Sequence, residues 1–255
     1  MRRATSWLFG AVVLVSTLIV ASTATAQDPA SLTSRPLLTI VTLGLLTLVP
    51  FIFMTATSFV KISIVFSILR NALGTGQVPS GTVVSALAAI LTLYVMAPVG
   101  SQIADAVAPS VAHVNVNDPL AGDSADAVFS AVRDGKEPLR RFLKNNANPR
   151  EMRLFLDLAR RARPVDQRAS ITGDDFLVVL PAFLITELAE AFQIGFLVFI
   201  PFLVVDMVIA NVLLALGMHM LSPTTVSLPF KLLLFVLVDG WYLLARALVL
   251  GYHTG

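Results

Sequence analysis

The feature that most restricts the fold of this chain is a long apolar stretch, from Pro181 to Trp241, that contains charged side chains. An ionised side chain costs about 2.5 to 3.5 kcal/mol at the centre of a membrane helix, so charged groups in such a stretch should avoid lipid. The stretch carries Glu187, Glu190, Asp206, Lys231 and Asp239, and it is interrupted by Pro201, Pro223 and Pro229. We therefore predict an all-α membrane protein whose charged groups are buried in a bundle or an assembly.

The composition of the whole chain agrees with a membrane protein and excludes several functions. Of 255 residues, 56% are hydrophobic and 13% are charged, and the net charge is only +2, so nucleic acid is not an expected partner. The absence of cysteine excludes disulfides and cysteine catalysis. The only histidines, His113, His219 and His253, are scattered, and no catalytic or nucleotide-binding motif occurs. We expect no enzyme activity, cofactor or metal.

Charge is concentrated between residues 104 and 175, which hold most of the acidic and most of the basic residues. This distribution predicts an extramembrane helical domain, 104–175, inserted between two helical membrane hairpins, 37–103 and 176–250. Because the positive-inside rule applies to short loops, a segment this long can lie in the periplasm despite its basic residues.

The N-terminus has the features of a secretory signal peptide. Arg2 and Arg3 precede an apolar run, and Ala24-Thr25-Ala26 provides a cleavage site of small residues. We predict a signal peptide at 1–26, with an uncleaved first membrane anchor as the alternative. Cleavage would place the mature N-terminus outside the cytoplasm of a bacterial cell.

In the first hairpin, residues 37–69 are apolar apart from Lys61 and are too long for one straight membrane span. Pro50 offers a kink point. Lys61 is interpreted as a cation that snorkels to the membrane interface. The second helix of the hairpin is predicted at Val83 to Ile103.

In the second hairpin, Phe176 to Gly217 is again too long for one span, and Gly195 and Pro201 predict a kinked helix or a tight hairpin. A single last helix is predicted at Val226 to Leu250. The C-terminal residues 251–255 show no feature that indicates a role.

Within the inserted domain, the sequence predicts helices that are separated by glycine and proline. The first begins near Ser124 and ends at Gly135, and the second begins at Pro138. A third begins after Asn148-Pro149 and ends at Arg163-Pro164.

The loop 217–223 contains Met218, His219 and Met220, between a predicted membrane helix and Pro223. Methionine side chains are flexible, so several of them could seal a pore around many different chains. The alternative is that Met218 and Met220 fill gaps in a core, and that His219 is a structural polar group.

The acidic residues of the apolar stretch admit two interpretations. They could line a proton or ion pathway, as in a secondary transporter, or they could pair with Lys61, Lys231 or Arg246 within or between subunits. We favour pairing and expect sister chains to supply partners, although the sequence assigns no pair.

Several long motifs resemble the FliP/SctR (YscR/HrcR) family of export-gate proteins in type III secretion systems. In the first half they are Thr57-Ser58-Phe59-Val60-Lys61-Ile62, Leu69-Arg70-Asn71-Ala72-Leu73-Gly74 and Tyr94-Val95-Met96-Ala97-Pro98. In the second half they are Thr186-Glu187-Leu188, Ala191-Phe192-Gln193-Ile194-Gly195-Phe196, Gly217-Met218, Leu228-Pro229-Phe230-Lys231-Leu232 and Val238-Asp239-Gly240-Trp241.

This resemblance implies a subunit of the bacterial inner-membrane export gate, in contact with membrane lipid. It also implies that five copies join other small gate subunits in a helical, funnel-like assembly through which unfolded proteins are exported. Met218 and Met220 match a methionine gasket in which His219 replaces a further methionine, and Glu187 matches a glutamate linked to assembly. The motifs favour the virulence branch, whereas the signal peptide is more usual in the flagellar branch.

Overall fold

The computed structural model describes residue 47 and residues 50–75, 79–111 and 122–253, and these residues form helices without any strand. The helices are α1 (Phe59–Leu73), α2 (Gly81–Val111), α3 (Gly122–Asn146), α4 (Pro149–Arg161), α5 (Phe176–Ala215), α6 (Pro223–Leu237) and α7 (Gly240–Leu250), with a 3-10 helix at Val165–Ser170. The predicted all-α class is confirmed. The predicted signal peptide, 1–26, lies outside the described residues.

Candidate membrane spans occur in both halves of the described chain. Gly81–Ser110 and Phe176–Ala215 are each long and apolar enough to cross a membrane, and the bent pair α6 and α7 adds a third span if it crosses as one. These lengths and compositions identify a membrane protein.

The chain divides into two compact units, whose described residues fall within 1–54 and 97–136 for one unit and within 55–96 and 137–255 for the other. In the first unit, α2 and α3 approach closely at Gly135, where an added Cβ would lie 2.8 Å from Val107 Cγ2. The glycine therefore allows α2 and α3 to pack closely. The prediction that Gly135 ends a helix is wrong, because α3 continues through it.

The core of the second unit forms around α5, which packs against α1, α4 and α6. The buried face of α1 repeats at helical spacing through Ile62, Val65, Phe66 and Leu69. At Gly195 of α5, an added Cβ would lie 2.3 Å from the Ile68 side chain, so the glycine lets α1 lie close to α5. The apolar stripe of α1 is thereby buried against the longest helix of the chain.

Helix α5 runs without interruption through Pro181 and Pro201. The tight hairpin considered for this segment is therefore wrong. A proline removes one backbone hydrogen bond, and the bonds on either side of it keep the helix intact here. At 1.5 Å per residue the helix is about 60 Å long, so it extends well beyond a hydrocarbon core of about 30 Å.

The single helix predicted at Val226 to Leu250 is also wrong, because α6 and α7 meet at a bend of 59°. Asp239 lies in the left-handed region at φ 53° and ends the run of helical hydrogen bonds. The next residue must be small, since a Cβ on Gly240 would lie 2.1 Å from the Phe235 ring.

The inserted segment contains fewer helix ends than the sequence predicts. The helices predicted at Ser124 to Gly135 and from Pro138 are one helix, α3, with Pro138 inside it. The helix predicted after Asn148-Pro149 is confirmed as α4, where the Asn148 side chain accepts a hydrogen bond of 2.9 Å from the Arg150 amide.

In the first hairpin, α2 begins near the predicted start at Val83 and extends beyond Ile103. Residues 50–55 are helical, and the helix is interrupted at residues 56–58 before α1 begins. The kink predicted at Pro50 stays a prediction, because residues 48–49 lie outside the described part of the chain.

Candidate functional site

The first group of buried charges joins α1 to α5. Lys61 Nζ lies 3.0 Å from Glu187 Oε1 and 2.6 Å from Glu190 Oε2. The side chains of Lys61 and Glu187 are 4% and 0% exposed, whereas that of Glu190 is 45% exposed. Glu187 and Glu190 face the same lysine because residues three apart share one side of a helix. The interpretation of Lys61 as a snorkelling cation is wrong.

Tyr252 completes this group from the C-terminus. Its hydroxyl donates a hydrogen bond to Glu187 Oε2, and Lys61 Nζ lies 4.1 Å from the centre of its ring. Burial raises the pKa of Tyr252 above its usual range, so the phenol remains protonated and keeps its role as donor. We call Lys61, Glu187, Glu190 and Tyr252 the Lys61 cluster.

The C-terminal segment is held in place next to Tyr252. The Tyr252 ring stacks on Phe142, with 6.0 Å between ring centres, and Asn146 exchanges two hydrogen bonds of 2.9 Å with the backbone of His253. The prediction that residues 251–255 are featureless is therefore wrong for the described residues 251–253. An amphipathic aromatic residue that follows an apolar helix was the available signal.

The second group of buried charges, the Lys231 cluster, joins α6 to α5 and α1. Lys231 Nζ lies 2.6 Å from Asp206 Oδ2 and donates to the Ala72 carbonyl at 3.2 Å. Ser227 donates to the other carboxylate oxygen of Asp206 at 2.5 Å. The Ala72 carbonyl is in the last turn of α1, where carbonyls lack helical partners, so the ammonium also caps that helix.

These contacts assign pairs within one chain. The expectation that sister chains must supply the partners is wrong for Lys61, Glu187, Asp206 and Lys231, since all four are paired intramolecularly. Asp239 makes no ion pair with the described residues and instead lies at the break between α6 and α7. The two clusters therefore organise the packing of α1, α5 and α6.

The methionine loop follows α5 and turns at Gly217, which has φ 73°. Met218 is 47% exposed, Met220 is 99% exposed, and His219 is also exposed. The alternative in which these methionines fill gaps in the core of the chain is wrong. Met220 is the most exposed methionine among the described residues.

Large hydrophobic side chains also remain exposed along the membrane helices. In α2, Tyr94 is exposed, and in α5 the exposed residues include Phe192, Phe196 and Leu197. Such a surface is covered by lipid or by other protein chains. Among the described residues, no three His, Asp or Glu side chains converge on a potential metal site.

Comparison with known proteins extends over nearly the whole chain. The family model described as the FliP family matches residues 42–248. The "Yop proteins translocation protein R" of Yersinia pestis is 47% identical over 214 residues, which cover 84% of this chain and 94% of that protein. The "Hypersensitivity response secretion protein HrcR" of Ralstonia nicotianae is 43% identical, covering 81% of this chain and 92% of that protein. The "Virulence protein YscR" of Salmonella typhimurium is 41% identical, covering 87% and 99%.

Proposed function

The chain belongs to the FliP family, and from this membership we propose that it is a core subunit of the inner-membrane export gate of a type III secretion system. In this proposal several copies, arranged as a pentamer with other small gate subunits, surround a pore through which unfolded proteins leave the cytoplasm. The names of its relatives refer to translocation, secretion and virulence, which favours the virulence branch over the flagellar branch.

The proposal rests on one observation: the buried charges are paired within the chain, whereas large apolar side chains remain exposed on its surface. The lysines of both clusters are buried and paired within the chain, while Met220 and the outer side chains of α5, such as Phe196, remain exposed. A chain whose internal charges are paired and whose outer faces are apolar is suited to pack against similar chains in a membrane.

The methionine loop provides the proposed seal. Met218 and Met220 are held at the end of a long helix and point away from the core of their own chain. If several copies bring their loops together, unbranched side chains with three rotatable bonds close the pore and then deform around passing polypeptides of any sequence. His219 places one polar group per subunit in that ring.

We further propose that residues 104–175 form the periplasmic part of the subunit, between the hairpins 37–103 and 176–250, and that residues 1–26 are a signal peptide. No chemical step is assigned to the subunit. Its role is structural. The helices are held by the two charged clusters, which contain Lys61, Glu187, Glu190, Asp206 and Lys231, and by the break at Asp239. The loop closes the pore.

The seal is tested in bacteria that carry the complete secretion system. The double variant Met218→Ala/Met220→Ala should make the membrane leak small solutes while the gate still assembles, because alanine is too short to close the gap. The matched control is Met207→Ala, which removes a 59% exposed methionine from α5 rather than from the loop, and it should not leak. An assembled loop variant that leaks no more than this control would contradict the proposed seal.

A proton- or ion-coupled secondary transporter is the alternative function. It requires acids that are open to a pathway, yet Glu187 is fully buried against a lysine and Asp206 is paired with another. Purified protein alone in liposomes should therefore move no solute under a proton gradient. Transport by the isolated chain would favour the transporter over the gate.

A further inference from the structure

The Lys61 cluster has an excess of negative charge. It brings two carboxylates, Glu187 and Glu190, to a single ammonium group. Glu187 is enclosed, so the partly exposed carboxylate of Glu190 presents this excess at the surface of α5. Because Glu190 shares the Lys61 ammonium group with Glu187 and is 45% exposed on a candidate membrane span, its carboxylate can still bind a second cation from outside the chain.

Helix α7 has the opposite imbalance. Arg246 is its only charged residue, its side chain is exposed, and it makes no ion pair with the part of the chain that the structure describes. The charged guanidinium group is costly to expose to lipid. Arg246 therefore needs a partner from outside the chain.

Glu190 and Arg246 lie at nearly the same height along α5. The Lys231 to Asp206 and Tyr252 to Glu187 contacts show that the segment from α6 to the C-terminus runs antiparallel to α5. Arg246 is no more than about 9 Å from Tyr252 along this direction, because the last helix is bent by 59° from α6, and Glu190 is about 4.5 Å along α5 from Glu187 in the same direction, at 1.5 Å per residue. Their heights thus agree to within about 5 Å.

A head-to-tail arrangement of identical subunits joins two different faces of neighbouring copies. We propose that Arg246 of each copy binds Glu190 of the next copy, so that the second chain completes the Lys61 cluster. The inference rests on the proposed homo-oligomer and specifies its contact. A planar guanidinium group can bind a carboxylate through two hydrogen bonds, which also fixes the rotation of one subunit against the next.

The test uses the natural absence of cysteine from the chain. Glu190→Cys and Arg246→Cys are combined in one full-length chain, and membranes of cells that express the complete secretion system are treated with a short bis-maleimide. We expect a ladder of crosslinked species above the dimer, because each chain can react with a neighbour on both sides. Each single variant should give no ladder.

The matched control combines Arg246→Cys with Leu214→Cys, an exposed position of α5 about 36 Å along the helix from Glu190. It should not crosslink. If the Glu190→Cys/Arg246→Cys chain fails to crosslink while native electrophoresis shows an intact oligomer, the contact is overturned and the proposed gate survives. If no oligomer forms even for the unmodified chain, the proposed function itself fails.

A second measurement does not depend on crosslinking. Arg246→Leu and Glu190→Gln should each lower the yield of intact oligomer several-fold, and the double variant should lose no more than the worse single variant, since both changes remove one contact. Additive losses would show that the two residues act independently and would overturn the contact.

Discussion

Removal of the Lys61 ammonium group is the sharpest test of the buried charge cluster. The substitution Lys61→Met keeps most of the volume of the side chain and deletes its charge. It leaves Glu187 with no cation, at a position where the carboxylate is fully buried. Tyr252 still donates one hydrogen bond to it, but a single neutral donor does not replace an ammonium group.

The expected loss follows from the burial of the pair. Deleting one partner of a buried ion pair costs about 3 to 5 kcal/mol, because an uncompensated charge remains inside. Glu190 contributes little to this figure, since it is 45% exposed and an exposed pair contributes at most about 1 kcal/mol. Lys61→Met should therefore lower the free energy of unfolding by about 3 kcal/mol or more.

The assay is equilibrium unfolding of the purified protein in detergent, followed by tryptophan fluorescence, because the partly exposed Trp241 packs edge-on against the buried ring of Phe66. Lys144→Met is the matched control: the same substitution removes an exposed pair with Asp174, whose side chains are 52% and 57% exposed, and should cost less than about 1 kcal/mol. The double variant Lys61→Met/Glu187→Gln should recover much of the loss, because no buried charge is then left alone. Equal losses for Lys61→Met and Lys144→Met, or no recovery in the double variant, would refute the reasoning.

The same unfolding assay checks three further predictions. Lys231→Met should cost about 2 kcal/mol, less than Lys61→Met, because its partner Asp206 is 26% exposed and water screens the carboxylate that remains; a larger cost than that of Lys61→Met would contradict this order. Asn148→Ala should cost about 1 kcal/mol through loss of the N-cap of α4, whereas Asn148→Ser should be nearly neutral. Asp239→Ala should be less stable than Asp239→Gly by about 1 kcal/mol, since only glycine adopts φ 53° without steric cost; equal stabilities would show that the backbone at the break relaxes.

The sequence predicts those parts of the fold that depend on local signals. The capping side chain of Asn148 and the proline that follows it mark the start of α4, and the structure confirms that start. The same kind of reasoning failed at Pro138, because a proline is also tolerated inside a helix whose other hydrogen bonds are kept. The Asp239-Gly240 dipeptide is typical of turns and was a usable signal for the break between α6 and α7. The apolar residues on both sides of it instead favoured the prediction of one continuous helix.

The candidate site depends on contacts between residues that are distant in the sequence. Lys61 and Glu187 belong to different hairpins, and Lys231 contacts a carbonyl of α1. Periodicity identifies these residues as unusual in an apolar background, but it carries no information about which lysine meets which acid. The position of Tyr252 after an apolar helix was a usable signal for an anchoring residue, but the sequence does not show that its hydroxyl donates to Glu187.

The arrangement of the two clusters explains why a membrane subunit retains buried charges that contribute little net stability. Glu187 and Asp206 both lie on α5, about 28 Å apart along its axis, and their lysines come from α1 and α6. Burial of apolar surface is non-directional, so apolar packing alone discriminates weakly between neighbouring registers of two long helices. An ion pair tolerates no such change of register, since a shift of one residue leaves both charges unpaired in a medium that does not solvate them. Two such contacts at separate heights therefore fix the rotation of α5, and that rotation determines which apolar face α5 presents to its surroundings and the direction in which the methionine loop projects.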